Sequence, residues 1–314
     1  MHEGSRRAIA AAFLANLGIA LSKVVAFAFT GAASLLAEAI HSAADTGNQG
    51  LLFLGGRRAA RSPTAEHPFG FARERYFWSF VVALVLFSLG SVFALVEGVD
   101  KLVHPHGVED PAWAFAVLGV AVALESASIR TAIREARPVR GDRSWWGFIR
   151  ESKSPEIPVV LLEDFGALVG LTFALLGIAL ATITGDGAFD AVGSVAIGLL
   201  LGAIAILLAV ETKSLLIGEA ASSEEQAAIR AVIEASPEVR RIIHLRTQHL
   251  GPDDLLVAAK VDFATASVTE LAGAIDAVEA RLRERVPKAR VVYFEPDVYR
   301  PGRADGGSEP GERS

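Results

Sequence analysis

Between residues 8 and 217 the chain carries six apolar segments, each long enough to cross about 30 Å of hydrocarbon at about 1.5 Å per residue. They lie at 8–29, 33–54, 77–103, 112–133, 157–183 and 187–217. Backbone groups in lipid must be satisfied within the segment, so the expectation is a six-helix transmembrane bundle. Hydrophobic types make up 52% of the 314 residues. That modest average hides a sharp division, because the charges gather near the N-terminus, in two loops and in the last third. The basic stretch Met1–Arg7 runs straight into the first segment, which holds Asn16 and Lys23. No small-residue cleavage site followed by a soluble domain comes after it, so it reads as a retained span rather than a signal peptide.

The loops orient the bundle. Arg57, Arg58, Arg61, Arg73 and Arg75 follow the second segment, and Arg130, Arg134, Arg137, Arg140, Arg143, Arg150 and Lys153 cluster between the fourth and fifth. The alternate connections are short and carry hardly any base. Positive-inside asymmetry of this kind places both termini in the cytosol of a multi-pass protein of the cell membrane, with its basic loops against anionic lipid. There is no basic nucleic-acid footprint. The absence of cysteine removes disulfides, thiolate catalysis and thiolate zinc sites, so any metal falls to His, Asp, Glu or amide oxygens.

After Gly218 the pattern changes to that of a small soluble domain, 219–298, with a tail at 299–314 rich in Gly, Pro, Ser and charge. Ser222 reads as an N-cap with Glu224 and Glu225 in the first turn. The β-rich runs Val239–His249 and Leu255–Phe263 flank the turn Gly251-Pro252-Asp253-Asp254. Ser267 and Glu270 open a second helix in which Leu271, Ile275, Val278 and Leu282 recur at helical spacing. A last strand spans Ala289–Phe294. The order αββαβ predicts an α+β open-faced sandwich.

The chemistry sits in the second apolar segment. Ser34, Glu38, His41, Asp45 and Asn48 stand at offsets 0, 4, 7, 11 and 14, one face of a helix. An acid near the bilayer centre costs about 2.5–3.5 kcal/mol on insertion scales, so this stripe needs partners, water or a cation. His41 and Asp45 are one turn apart and can reach one ion together; a hydrogen-bonded structural pair is the plainer alternative. A second intramembrane acid pair, Glu163-Asp164, favours the ion. Consecutive helical residues point about 100° apart, so at most one of these two faces the stripe squarely. Glu125 is a further candidate, or an acid that snorkels to the cytosolic edge. Carboxylates with one imidazole suit zinc, cobalt, manganese or ferrous iron, with zinc foremost. Binding requires neutral His41 and ionised carboxylates, so metal and proton compete for one set of atoms, the physical basis of metal–proton antiport. Gly166 and Gly170, with Gly198 and Gly202, form small-residue faces that read as packing.

The segment from Ser34 to Asp45, Asn16 and Lys23 before it, the loop His67-Pro-Phe-Gly70, Glu163-Asp164 in the fifth segment and the αββαβ tail together resemble the cation diffusion facilitators over about 8–298. The resemblance implies a homodimeric exporter that moves zinc or a similar ion out of the cytosol against protons. It also implies a metallochaperone-like tail that, with the spans, supports the dimer, and no resident cofactor beyond the transported ion. The family takes two ligands from the second span and two from the fifth, each pair spaced i, i+4. His41, Asp45 and Asp164 match, with Glu163 and Glu38 as further candidates, whereas Val160 stands where zinc members usually carry His. The accessory positions also depart: Thr64 and Phe71 flank His67, and Ile243, Lys260 and Tyr293 replace tail ligands, leaving Glu295. His244 and His249 read as structural or surface residues. The expectation is a tail that dimerises without bound metal.

An enzyme is not expected. A membrane metallohydrolase would need a paired-His motif of the His-Glu-x-x-His type, and none is present. A non-transporting sensor or scaffold, with the stripe as a structural network, is the other rival.

Overall fold

The computed structural model describes residues 33–104 and 111–300, together with residues 10, 13, 14, 16–22, 24 and 25; for 33–41 it describes the backbone. The chain divides into two compact units, Met1–Ile217 and Gly218–Ser314.

The first unit is built of long helices: α1 (Ala33–Ala59), α2 (Glu74–Val103), α3 (Pro111–Arg140), the short α4 (Trp145–Glu151), α5 (Glu156–Thr184) and α6 (Ala188–Ile217). Among the described residues α2, α3, α5 and α6 are long and apolar enough to cross a membrane. At 27 residues α1 is long enough as well, but its polar stripe keeps it below the hydropathy of the other four. Of the first expected segment, residues 16–22 are helical and the rest lies largely outside the described residues. The connections at Thr30–Ala32 and 105–110, and the tail beyond Arg300, also lie outside them.

These helices are apolar within and without, as lipid requires. Leu52, Val82, Val160, Leu161, Ile204 and Leu208 are buried together, while Val96, Leu176, Leu199 and Ile206 stay exposed on the outer faces. Helix α6 packs against α5 and α2, α3 against α5, and α1 against α2. Glycines set the close approaches. A Cβ at Gly198 would meet Leu95 Cγ at 2.7 Å and its backbone N at 2.9 Å, and one at Gly166 would meet Ile204 Cδ1 at 2.7 Å. The small-residue face of α6 therefore serves α2, and that of α5 serves α6. Within α2, Leu86–Val92 widens to a π-helical turn. There Ser91 Oγ donates to the carbonyl of Gly198 at 2.8 Å.

The helix ends beside the basic loops differ from expectation in three respects. Helix α3 runs past the apolar segment to Arg140, with Pro138 in its last turn. Helix α4 is an additional element, capped by Ser144, whose Oγ accepts from Gly147 N at 3.0 Å, and anchored by fully buried Phe148. Arg75, counted above among the loop bases, is instead buried in a two-pronged ion pair with Glu156, one prong being Nη2 to Oε2 at 2.9 Å.

The second unit has the order α7 (Ser223–Glu234), β1 (Val239–Gly251), β2 (Asp254–Phe263), α8 (Val268–Arg285) and β3 (Val291–Pro296). Ser222 and Glu225 form a full capping box on α7, and Ser267 Oγ accepts from Glu270 N to start α8. Strand β2 is central, antiparallel to β1 and parallel to β3. Its burial alternates strictly, so one face of the sheet packs on the helices. Ile229 and Ile233 of α7, Val278 and Leu282 of α8 and Leu255, Val257 and Val261 of β2 fill that core.

Candidate metal site in the membrane unit

A cavity of about 100 Å³, room for several waters, opens inside the membrane unit. Its polar lining is Asn16, Ser42, Asp45, Glu125, Glu163 and Asp164, set among apolar residues such as Leu86, Leu118 and Leu201. Helix α1 brings Ser42 and Asp45 one turn apart, α3 brings Glu125, and α5 brings the acid pair. Glu125, Glu163 and Asp164 are buried, at 6%, 6% and 1% exposure, and Asp45 is half-buried.

The consecutive acids of α5 both line the cavity, and their divergence is met by two different neighbours. Asp164 Oδ2 accepts from Ser128 Oγ of α3 at 2.7 Å. Glu163 Oε1 accepts from Asn48 Nδ2 of α1 at 3.0 Å, and its Oε2 from Gln49 Nε2 at 2.5 Å. Asp45 interacts electrostatically with both acids, and Glu163 with Glu125. Carboxylates gathered this closely in an apolar unit repel one another, and a cation or a proton drawn among them relieves the repulsion.

The expected residues are thus partly assembled. Asp45, Glu163 and Asp164 meet at one cavity, and Glu125 lines it from within the unit rather than snorkelling to the edge. The side chains of His41 and Glu38 lie outside the described residues, as does Lys23; their helix positions are one and two turns before Asp45. Val160 is fully buried in the apolar core and does not line the cavity. Among the described residues no three His, Asp or Glu side chains form a ready-made metal cage. Ser128 was missed in the sequence; its signal is the i+3 spacing from Glu125, which puts a hydroxyl on the face of α3 that carries the acid.

At the accessory positions, His67 exchanges backbone hydrogen bonds with Thr64 and stacks on Phe71 at 4.6 Å. In the second unit, Lys260 Nζ lies 3.3 Å from Glu295 and 3.1 Å from Asp297, so the expected surviving ligand Glu295 faces an ammonium. Tyr293 is 58% exposed. His244 is half-buried opposite Lys260 in the β1–β2 ladder. His249 is fully buried, its Nδ1 3.3 Å from the carbonyl of Gly251 and its Nε2 3.7 Å from Glu225 Oε2.

Comparison with known proteins agrees with this architecture. The family model for the cation efflux transmembrane domain matches residues 9–217, and that for the cation efflux protein cytoplasmic domain matches 221–296. The mitochondrial proton-coupled zinc antiporter SLC30A9 of Xenopus laevis is 34% identical over 249 residues, covering 79% of this chain and 44% of that protein. The human counterpart is 34% identical over 251 residues, with the same coverage. Metal tolerance protein C4 of Arabidopsis thaliana is 29% identical over 261 residues, 82% of this chain and 57% of its own length. The chain therefore spans about half the length of these relatives. The magnetosome protein MamB of Paramagnetospirillum magneticum is 23% identical over 89% of both chains. With a helical membrane domain followed by the family's small α+β domain, the chain belongs to the cation diffusion facilitator family.

Proposed function

We propose that this chain exports a divalent metal cation, zinc foremost, in exchange for protons. The observation that carries the reading is the convergence of Asp45, Glu125 and Asp164, from three helices, on one cavity inside an apolar unit. In this reading His41, Asp45 and Asp164 hold the ion. One imidazole and two carboxylates bind zinc only when deprotonated, so each proton taken up releases a ligand. Relatives named as proton-coupled zinc antiporters support the choice of ion and of coupling. The protein works as a homodimer, through its C-terminal unit and its spans, in the cell membrane with both termini in the cytosol. The matched cytoplasmic-domain family and the basic loops support that placement.

The test is metal uptake into proteoliposomes holding a pH gradient, comparing zinc, manganese, cobalt and iron. Zinc uptake that requires the gradient and disappears in Asp45→Ala is expected. Uptake of another ion by the same residues keeps the mechanism and changes the cargo. Folded, inserted protein that moves none of the four would overturn the exporter in favour of a sensor or scaffold.

A further inference from the structure

Asn48 and Gln49 raise a question that the exporter reading leaves open. Both amides are buried, at 2% and 0% exposure, and neither lines the cavity. Both nonetheless donate to the same carboxylate, one to each oxygen of Glu163. Consecutive residues on a helix diverge by about 100°, so two side chains that converge on one group bracket it from two sides. Such a grip fixes both the rotation of α1 and its height against α5.

We propose that Glu163 is a positioning residue of the ion site rather than a ligand, held in that role by Asn48 and Gln49. The proposal rests on the exporter reading and deepens it. The grip lies one turn after Asp45 on α1 and one residue before Asp164 on α5, so it sets the separation of two ligand-bearing turns. Asp164 is differently placed, with a hydroxyl from α3 on Oδ2. The outer oxygens of the grip sharpen the argument. Asn48 Oδ1 and Gln49 Oε1 are buried with no hydrogen-bond partner among the described residues. In Glu163→Gln the new amide can accept from one neighbour and donate to the carbonyl of the other, after that neighbour's amide turns over. The grip then survives while the carboxylate is gone. Shape and charge become separable.

The experiment measures zinc binding by calorimetry on the full chain in detergent, with monodispersity checked first, and zinc uptake in proteoliposomes. Asp164→Asn should lose affinity by about 100-fold, whereas Glu163→Gln, which removes a charge from the cavity lining but keeps the grip, should lose less than about tenfold. Glu163→Ala, and the double variant Asn48→Ala with Gln49→Ala, should each lose about 10–100-fold, the range seen when supporting partners of metal ligands are removed. Combining them should cost no more than either alone. A merely structural role would lower the folded yield but leave the zinc-to-manganese affinity ratio of the folded fraction unmoved; a positioning role shifts that ratio. A Glu163→Gln variant as impaired as Asp164→Asn would make Glu163 a ligand and overturn the proposal. So would a double amide variant that binds zinc within threefold of wild type. If Glu163→Ala does not fold, Glu163→Gln and the double amide variant decide the matter. Wild type that neither binds nor carries any of the four metals would overturn the exporter reading instead, and this assignment with it.

Discussion

In the C-terminal unit the carboxyl of Glu225 is held well below the usual carboxylate range. The cause is first the imidazole of His249, opposed by burial, then the ammonium of Lys288 at 2.9 Å and the N–H of Ser222. A folded-state pKa below the unfolded one contributes stability that is present above about pH 4.3. It is lost as pH falls through that range towards the folded value. Protection factors across residues 221–296, corrected for the pH dependence of intrinsic exchange, should therefore fall between about pH 5 and pH 3 in wild type. In Glu225→Gln that acid limb should flatten; an unchanged limb would show that this carboxylate does not govern it. At this scale the sequence was legible where an acid stands in an apolar run, as at Asp45, Glu163 and Asp164. It was silent on neutral partners. Asn48 stood on the polar stripe but without a partner to read, while Ser128 and Gln49 are ordinary residues in a helix, and their role appears once the helices that face them are known. Arg75 misled because a base beside a loop reads as solvated, while the fold gives it Glu156.

Among the helices, most boundaries follow from hydropathy and caps, and the exceptions have identifiable causes. Helix α3 outruns its apolar segment because Arg134 and Arg137 favour a helix interior and C-terminus whether or not lipid surrounds them. Helix α4 is short and its one deeply buried anchor is Phe148, so periodicity had too little length to act on. In the second unit the caps at Ser222 and Ser267 and the β1–β2 turn placed every element within a few residues. The seam between α2 and α6 allows a direct test. Gly198→Ala brings a methyl against the backbone of Leu95, which must shift, and should destabilise the membrane unit by about 1–3 kcal/mol. Gly119→Ala, on α3 with nothing within 4 Å, should be neutral or slightly stabilising through helix propensity. Thermal unfolding of the two variants in one detergent separates them; equal shifts would mean the seam is looser than described.

The whole molecule was legible as two units because lipid and water demand opposite surfaces, and that demand is written residue by residue along the chain. What the sequence left open was which acids share a space, since helices far apart in sequence settle that by packing. The C-terminal unit carries its own core, and the Lys260 side chain sits against Glu295 and Asp297 where a metal would otherwise be drawn. Dimerisation of this unit is accordingly expected without metal. Small-angle scattering of residues 219–300 should show one size with zinc and with chelator; closure on adding zinc would contradict it. In the membrane unit the joints are of two kinds. The polar ones bind α5 to α1, α2 and α3, and α2 to α6, through directed hydrogen bonds or an ion pair, which break when the partners shift by an ångström or so. The contacts of Gly166 with Ile204 and of Gly170 with Ile197 are apolar, and there sliding trades one van der Waals contact for the next. A small displacement along the apolar seam between α5 and α6 therefore costs less than one between α5 and the helices it grips with polar groups.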